Sequence, residues 1–244
     1  MNYNWNWGIY LETVKNGDET YLHWLLTGLG WTVAVALSAW VIALVLGFAV
    51  GTLRTTPNAW LVRASNAYVE LFRNVPLLVQ MFLWFFVVPE FLPRDLSLWV
   101  KQDMPAKEFV TATICLGLFT SARIAEQVRA GIQSLARGQR MAGLALGFTL
   151  AQTYRYVILP MAVRIIIPPL TSEFMNIFKN SSVAFAIGVL ELTFQARQMQ
   201  EDSEQGIETY LAVTVLYFVC AFTANRVMAI IERRTRVPGY IFGR

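Results

Sequence analysis

Ionisable side chains set in apolar sequence are where this chain could do chemistry. Arg123 and Glu126 stand in SARIAE, and Glu173 and Lys179 stand in TSEFMNIFKNSS. A guanidinium forks onto a carboxylate, and an ammonium attracts an anion as a point charge. More than one account of each cation stays open on spacing alone. Arg123 either pairs with Glu126 at i, i+3 on one helix face or presents its fork to a ligand carboxylate. Lys179 either pairs with Glu173 or Glu191, or snorkels, or lines a path with Asn180 and Ser181 that draws carboxylates. Gln80, in NVPLLVQ, either lines a cavity or bonds a neighbouring helix.

Other chemistries fall away. One histidine, His23, and two separated cysteines, Cys115 and Cys220, build no ordinary metal site. The carboxylates Glu70, Glu126 and Glu173 are too scattered along the chain to read as a catalytic cluster. No G-x-x-x-x-G-K-[ST] loop is present to cradle ATP phosphates.

The elements that must position these residues are membrane helices. The 244 residues are 56% hydrophobic and only 15% charged, where a soluble domain carries about a quarter charged. The fold class is therefore all-α integral membrane. Five spans are expected, at about 25–53, 70–92, 108–128, 165–190 and 209–231, after an N-terminal segment 1–24 and before a tail 233–244. That first segment, polar and aromatic, lacks a basic region followed by an apolar core and does not read as a cleavable signal. Lys and Arg set orientation. Arg54, 63 and 73, then 123, 129, 137, 140, 155 and 164, then 226, 233, 234, 236 and 244 fall on one side. Lys15, Arg94, Lys101, Lys107 and Arg197 fall on the other. The arginine-rich side is cytoplasmic, so the N-terminus is outside and the C-terminus inside. The opposite face is acidic, with Glu191, Asp202 and Glu208 among its residues, and reads as solvated. The net charge of +4 follows from this asymmetry and calls for no nucleic acid.

The stretch MAGLALGFTLAQTYRYVILP (141–160) is long and apolar enough to span, but a span here would destroy the charge asymmetry. It is instead a cytoplasmic loop, about 136–160, between spans three and four. Thr149-x-x-Gln152 is a capping box that starts a helix ending before Pro160, and Gly147 makes the bend from a preceding helix. This hairpin exposes Leu144, Phe148, Leu150 and Tyr154. It either lies on headgroups or fits a groove on a soluble partner. Gly47-x-x-x-Gly51 permits close helix approach and reads as packing. Pro76 and Pro168-Pro169 should break or kink their helices.

Gly147, nine residues on to Val157, then Leu159-Pro160 resembles the cytoplasmic loop of bacterial ATP-binding-cassette importer permeases. YVELFRNVPLLVQ, AEQVRAGIQSL and RIIIPPLTSEFMNIFKNSS are similar to the polar amino acid subgroup, and WNWGIYL and GTLRTTPN to glutamate/aspartate importers. The resemblance implies that Met141, Ala142, Gly143, Leu144, Gly147, Phe148, Leu150, Tyr154 and Pro160 belong to a coupling helix docking an ATPase. Where the family reads Glu-Ala-Ala this chain has Met141-Ala142-Gly143, without the acid. It further implies a bacterial inner-membrane, multi-pass subunit with no cofactor of its own. Two ATPase subunits carry ATP and Mg, and a second permease chain (identical or homologous) and a periplasmic solute-binding protein complete the importer. ATPase closure would swing the spans between inward- and outward-facing states. Related permeases commonly have tyrosine where this chain has Arg123, which points Arg123 at the second carboxylate of glutamate or aspartate. Another amino acid such as glutamine, or an ion-gradient transporter, is the alternative. The latter usually carries inverted repeats, and none is visible.

Overall fold

The computed structural model describes residues 3–15 and 17–235. Ten α-helices are found there: α1 Tyr21–Leu53, α2 Ala59–Asn74, α3 Leu77–Phe82, α4 Arg94–Leu98, α5 Lys107–Gln133, α6 Arg137–Ala145, α7 Leu150–Thr153, α8 Leu159–Asn180, α9 Leu192–Ser203 and α10 Gly206–Thr235. Four helical stretches are long and apolar enough to cross a membrane: Tyr21–Leu53, Lys107–Gln133, Leu150–Ile187 and Gly206–Thr235. A fifth span exists if the broken pair Ala59–Asn74 and Leu77–Phe91 counts as one.

Local sequence explains where these differ from expectation. The second span, expected at about 70–92, is not one straight helix: Ala59–Asn74 and Leu77–Phe91 are bent by 105° at the break between them. Val75 is extended (φ −98°, ψ 131°) ahead of Pro76, the conformation a following proline favours, so Tyr68–Arg73 belong to helix α2. Conversely, the helix begun at Thr149 does not stop before Pro160. A π turn, Tyr154–Ile158, leads directly into α8, with the Leu159 amide bonded to the Tyr154 carbonyl. That widened turn absorbs the clash a prolyl ring makes with the carbonyl four residues earlier. Pro168 and Pro169 likewise lie inside α8 without ending it. The tail expected at 233–244 is helical to Thr235, and residues 236–244 lie outside those described.

The chain divides into two compact units. One comprises residues up to Ala39, Pro76–Gly117 and Asn176–Phe222. Its core joins Ile9, Val14, Tyr21 and Leu25 to Leu192, Ala196, Met199 and Val213. Two acids expected on a solvated face are fully buried here, Glu191 and Glu208. Glu191 caps α9, accepting the Thr193 and Phe194 amides at 2.9 and 3.0 Å and the Tyr217 hydroxyl at 2.7 Å. Glu208 accepts the Asn6 amide at 2.8 Å and the Tyr3 hydroxyl. Buried carboxylates require such partners. Asp202, outside the spans, accepts the Tyr21 hydroxyl at 2.6 Å and the Lys15 amide at 3.1 Å, and these two bonds hold its carboxyl below the usual range.

The other unit comprises Trp40–Val75, Leu118–Met175 and the chain from Thr223. Its helices approach closely through glycine. A Cβ on Gly47 would meet Ile124 Cβ at 2.6 Å, and one on Gly51 would meet Val128 Cβ at 2.6 Å and the Ala125 carbonyl at 2.7 Å. Gly47 and Gly51 are thus packing residues. A Cβ on Gly131 would similarly meet Ile166 at 2.5 Å. The Tyr68 hydroxyl and Ser121 Oγ, 2.6 Å apart, tie α2 to α5.

Candidate functional site

Both candidate sites of this second unit are built on the frame just described. Residues 123, 126 and 127 lie on one face of α5, by i, i+3 and i+4 spacing. Glu173 comes from α8, Arg54 directly follows α1, and Arg73 lies in the last turn of α2. Together Arg73, Arg123, Glu126, Gln127 and Glu173 line a cavity of about 260 Å³.

Arg123 does not pair with Glu126. That carboxylate is engaged by Arg54 and Arg129, each at 2.5 Å, and by Arg73 at 3.5 Å. Arg123 instead stands 3.9 Å from Glu173, with its own side chain 46% exposed and that of Glu173 only 10%. Its guanidinium also lies over the Phe119 ring, 5.3 Å from the centroid. Gln127 donates to Glu173 at 3.1 Å. The contacts connect four guanidiniums (Arg54, Arg73, Arg123, Arg129) to two carboxylates (Glu126, Glu173). The surplus is positive, in a setting where uncompensated charge is expensive. An anion in the cavity would offset it. Glu126 and Glu173, separate in sequence, thus share one cavity.

Arg54, Arg73, Gln127 and Glu173 were not among the substrate-path residues expected from sequence. Arg54 and Arg73 read only as orientation charges. The signal that finds Gln127 is its i+4 spacing from Arg123. Lys179 is exposed and makes no ion pair among the described residues. Its expected partners are taken: Glu173 by Arg123 and Gln127, Glu191 by the α9 amides and Tyr217. Asn180, Ser181 and Gln80 belong to the first unit. Ser181 is buried and donates to the Phe178 carbonyl at 2.7 Å. Gln80 is buried on α3, which packs against the 3-10 turn beginning at Ser181.

The second candidate is the helical hairpin 137–160. Gly147 takes φ +84°, open to glycine and costly for other residues. The Phe148 amide bonds the Gly143 carbonyl at 3.2 Å and the Gly147 amide bonds that of Leu144 at 3.0 Å, closing the end of α6. The capping box is complete: Gln152 Oε1 accepts the Thr149 amide at 2.8 Å, and Thr149 Oγ1 accepts the Gln152 amide at 3.3 Å. Met141, Ala142, Leu144, Gly147, Phe148 and Pro160 are exposed, and Leu150 is half-buried. Leu146, 77% exposed, joins that apolar face unforeseen. Two expected members turn inward. A Cβ on Gly143 would meet Thr153 at 2.8 Å. Tyr154 is buried, and its hydroxyl donates to the Thr55 carbonyl at 2.7 Å. A cavity of about 430 Å³ lies behind the hairpin, lined by Arg54, Thr55, Gln139, Arg140, Tyr154 and Ile158 among others.

The model of the family described as binding-protein-dependent transport system inner membrane component matches residues 43–237. The chain belongs to this family. It is 46% identical to the glutamate/aspartate import permease protein GltJ of Escherichia coli (strain K12), with 100% of each chain covered. It is 37% identical to the probable glutamine ABC transporter permease protein GlnM of Bacillus subtilis (strain 168), over 81% of this chain and 88% of that one. The crystal structure of an amino acid ABC transporter with histidines shares the fold at TM-score 0.74 and 30% identity, covering 88% of this chain and 95% of that one. The inward-facing MetNI methionine ABC transporter shares the fold at TM-score 0.69 and 21% identity, covering 88% and 98%. As a member of the family, the chain is a multi-helix membrane transport component.

Proposed function

We propose that this permease imports glutamate and aspartate as one membrane subunit of an ATP-driven complex in the bacterial inner membrane. Arg123 carries the assignment: a half-exposed guanidinium in a cavity of about 260 Å³ whose linked charges are net positive. An acidic amino acid has one carboxylate more than a neutral one, and a guanidinium fork fits it. The full-length likeness to a glutamate/aspartate permease supports the same substrate.

Membership of the family supports a reading of the rest of the complex. The N-terminus lies outside and the C-terminus inside, in keeping with the distribution of Lys and Arg. The hairpin 137–160, with Met141, Leu144, Leu146 and Phe148 exposed, docks an ATPase subunit that binds ATP and Mg. A second permease chain, a second ATPase copy and a periplasmic binding protein complete the importer. Alternating access then moves the amino acid inward.

The test is uptake of labelled glutamate, aspartate, glutamine and arginine into vesicles holding this chain with its partners, with and without internal ATP. ATP-dependent uptake of the two acids alone is expected. In Arg123→Tyr, uptake of both should fall about 10- to 100-fold, the worth of a hydrogen bond to a charged group. Wild-type glutamate uptake by an assembled Arg123→Tyr complex would sink the substrate assignment. Preference for glutamine would keep the importer and discard the acidic substrate.

A further inference from the structure

Arg54 belongs to two places at once. Its side chain is 9% exposed and lines the cavity behind the hairpin, while its partner Glu126 lines the cavity that holds Arg123. Arg54 is fixed on both sides of its fork, Nε donating to Asn66 Oδ1 at 2.7 Å and Nη1 to Glu126 at 2.5 Å. The next residue, Thr55, accepts the Tyr154 hydroxyl at its carbonyl (2.7 Å), with its Oγ1 at 3.1 Å from the same hydroxyl. Tyr154 opens the π turn that follows the capped start of α7. A π turn differs from an α turn by one residue of hydrogen-bond register, and such turns recur at functional sites.

We propose that Tyr154, Thr55 and Arg54 are positioning residues of a relay that links displacement of the hairpin to the charge of the Arg123 cavity. The proposal rests on the importer function above. Movement of the hairpin pulls Tyr154 and with it the Thr55 carbonyl. Arg54, one residue away, then shifts on Glu126 and changes how much of that carboxylate is left for Arg73. Release of Arg73 into the cavity favours a bound anion, and its capture by Glu126 disfavours one. By reciprocity, an anion in the cavity biases the hairpin equally. Spatial intermediacy alone would not carry this. The additional observation is that the bonds of Tyr154 and Arg54 are made by side chains only 7% and 9% exposed, leading to the more open contact of Glu126 with Arg73 at 3.5 Å.

The experiment measures amino acid imported per ATP hydrolysed in proteoliposomes of the full complex. Wild type, Tyr154→Phe, Arg54→Lys and the double variant are compared, each checked for co-purification of the ATPase. Phenylalanine keeps the ring and removes the donor, and lysine keeps the charge but replaces the planar fork, which reaches Asn66 and Glu126 through two nitrogens, with one mobile nitrogen. Each single variant should lower the ratio about fivefold or more, at the low end of measured couplings. The double variant should be no worse than the worse single, as for two links in one chain. Ratios within twofold of wild type overturn the relay, as does a double variant whose losses multiply. Failure of Tyr154→Phe to co-purify with the ATPase also overturns it, because the hydroxyl would then hold the hairpin rather than transmit through it. Absence of ATP-dependent uptake by wild type is a separate outcome, which removes the importer function and the relay together.

Discussion

Glu126→Gln tests whether one carboxylate organises the cluster. The substitution keeps shape and removes the charge between Arg54, Arg129 and Arg73. An amide can accept from one guanidinium, but its NH2 group faces another donor. Arg54 matters most, being 9% exposed. Removing one partner of a buried pair costs about 3–5 kcal/mol. Asn66 still holds Arg54 at 2.7 Å, which places the loss at the lower end of that range. Arg129 and Arg73 are 34% and 47% exposed, so each adds only about 0–1 kcal/mol. The sum is about 3–5 kcal/mol. At about 2–4 °C per kcal/mol for a chain of this size, the unfolding midpoint should drop by about 6–20 °C. Thermal unfolding of the purified chain in detergent, followed by tryptophan fluorescence, reads this directly. Arg129→Gln is the companion, expected to cost no more than about 1 kcal/mol. Equal losses in the two variants would refute the central place of the Arg54 pair.

Three shorter predictions follow from geometry. Gly51→Ala should destabilise by about 1–3 kcal/mol through the 2.6 Å approach to Val128, whereas Gly30→Ala in the same helix, with nothing within 4 Å, should be neutral or stabilising by up to about 1 kcal/mol; unfolding midpoints in detergent compare them. Gly147→Val, forced to φ +84°, should reduce retention of the ATPase on affinity-purified permease, and unchanged retention would argue against the hairpin as its dock. Asp202 has its carboxyl held low by Tyr21 and Lys15, so its bonds contribute above the usual carboxylate range and are lost as pH falls through the lowered value. Exchange of the Lys15 amide should therefore be slower in wild type than in Asp202→Ala at neutral pH, and the difference should vanish on acidification.

What the sequence made legible was local. Thr149 and Gln152 lie three residues apart, and their reciprocal bonds form as that spacing demands. Gly147 bends the chain where a bend was expected, and Gly47 and Gly51 pack as small residues four apart should. The third and fifth spans needed only hydropathy. What escaped was either a competition between local rules or a distant partner. At Pro160 the rule that proline ends a helix met a π turn that accommodates it, whereas at Pro76 the expected break is present. Arg123 and Glu126 satisfied i, i+3 spacing, yet Glu126 is held by Arg129 and by Arg54, the latter 72 residues away. Glu191 and Glu208 looked like surface acids because Tyr217 and Tyr3 cannot be assigned to them by any local pattern.

The bond between Tyr3 and Glu208 spans 205 residues, nearly the whole chain, and Asn6, Tyr10, Lys15 and Tyr21 reach to the same region. At roughly 5–20 residues per second of synthesis, the first residues wait about 10–40 s for the acids that bury them. During that wait Ile9 and Val14 lack the α9 and α10 side chains that complete their core. The N-terminal segment is therefore finished last although it is made first, and its docking is a record that the final helix has arrived. A chain truncated before α10 would leave this segment without Glu208 and Val213, which bond and bury it.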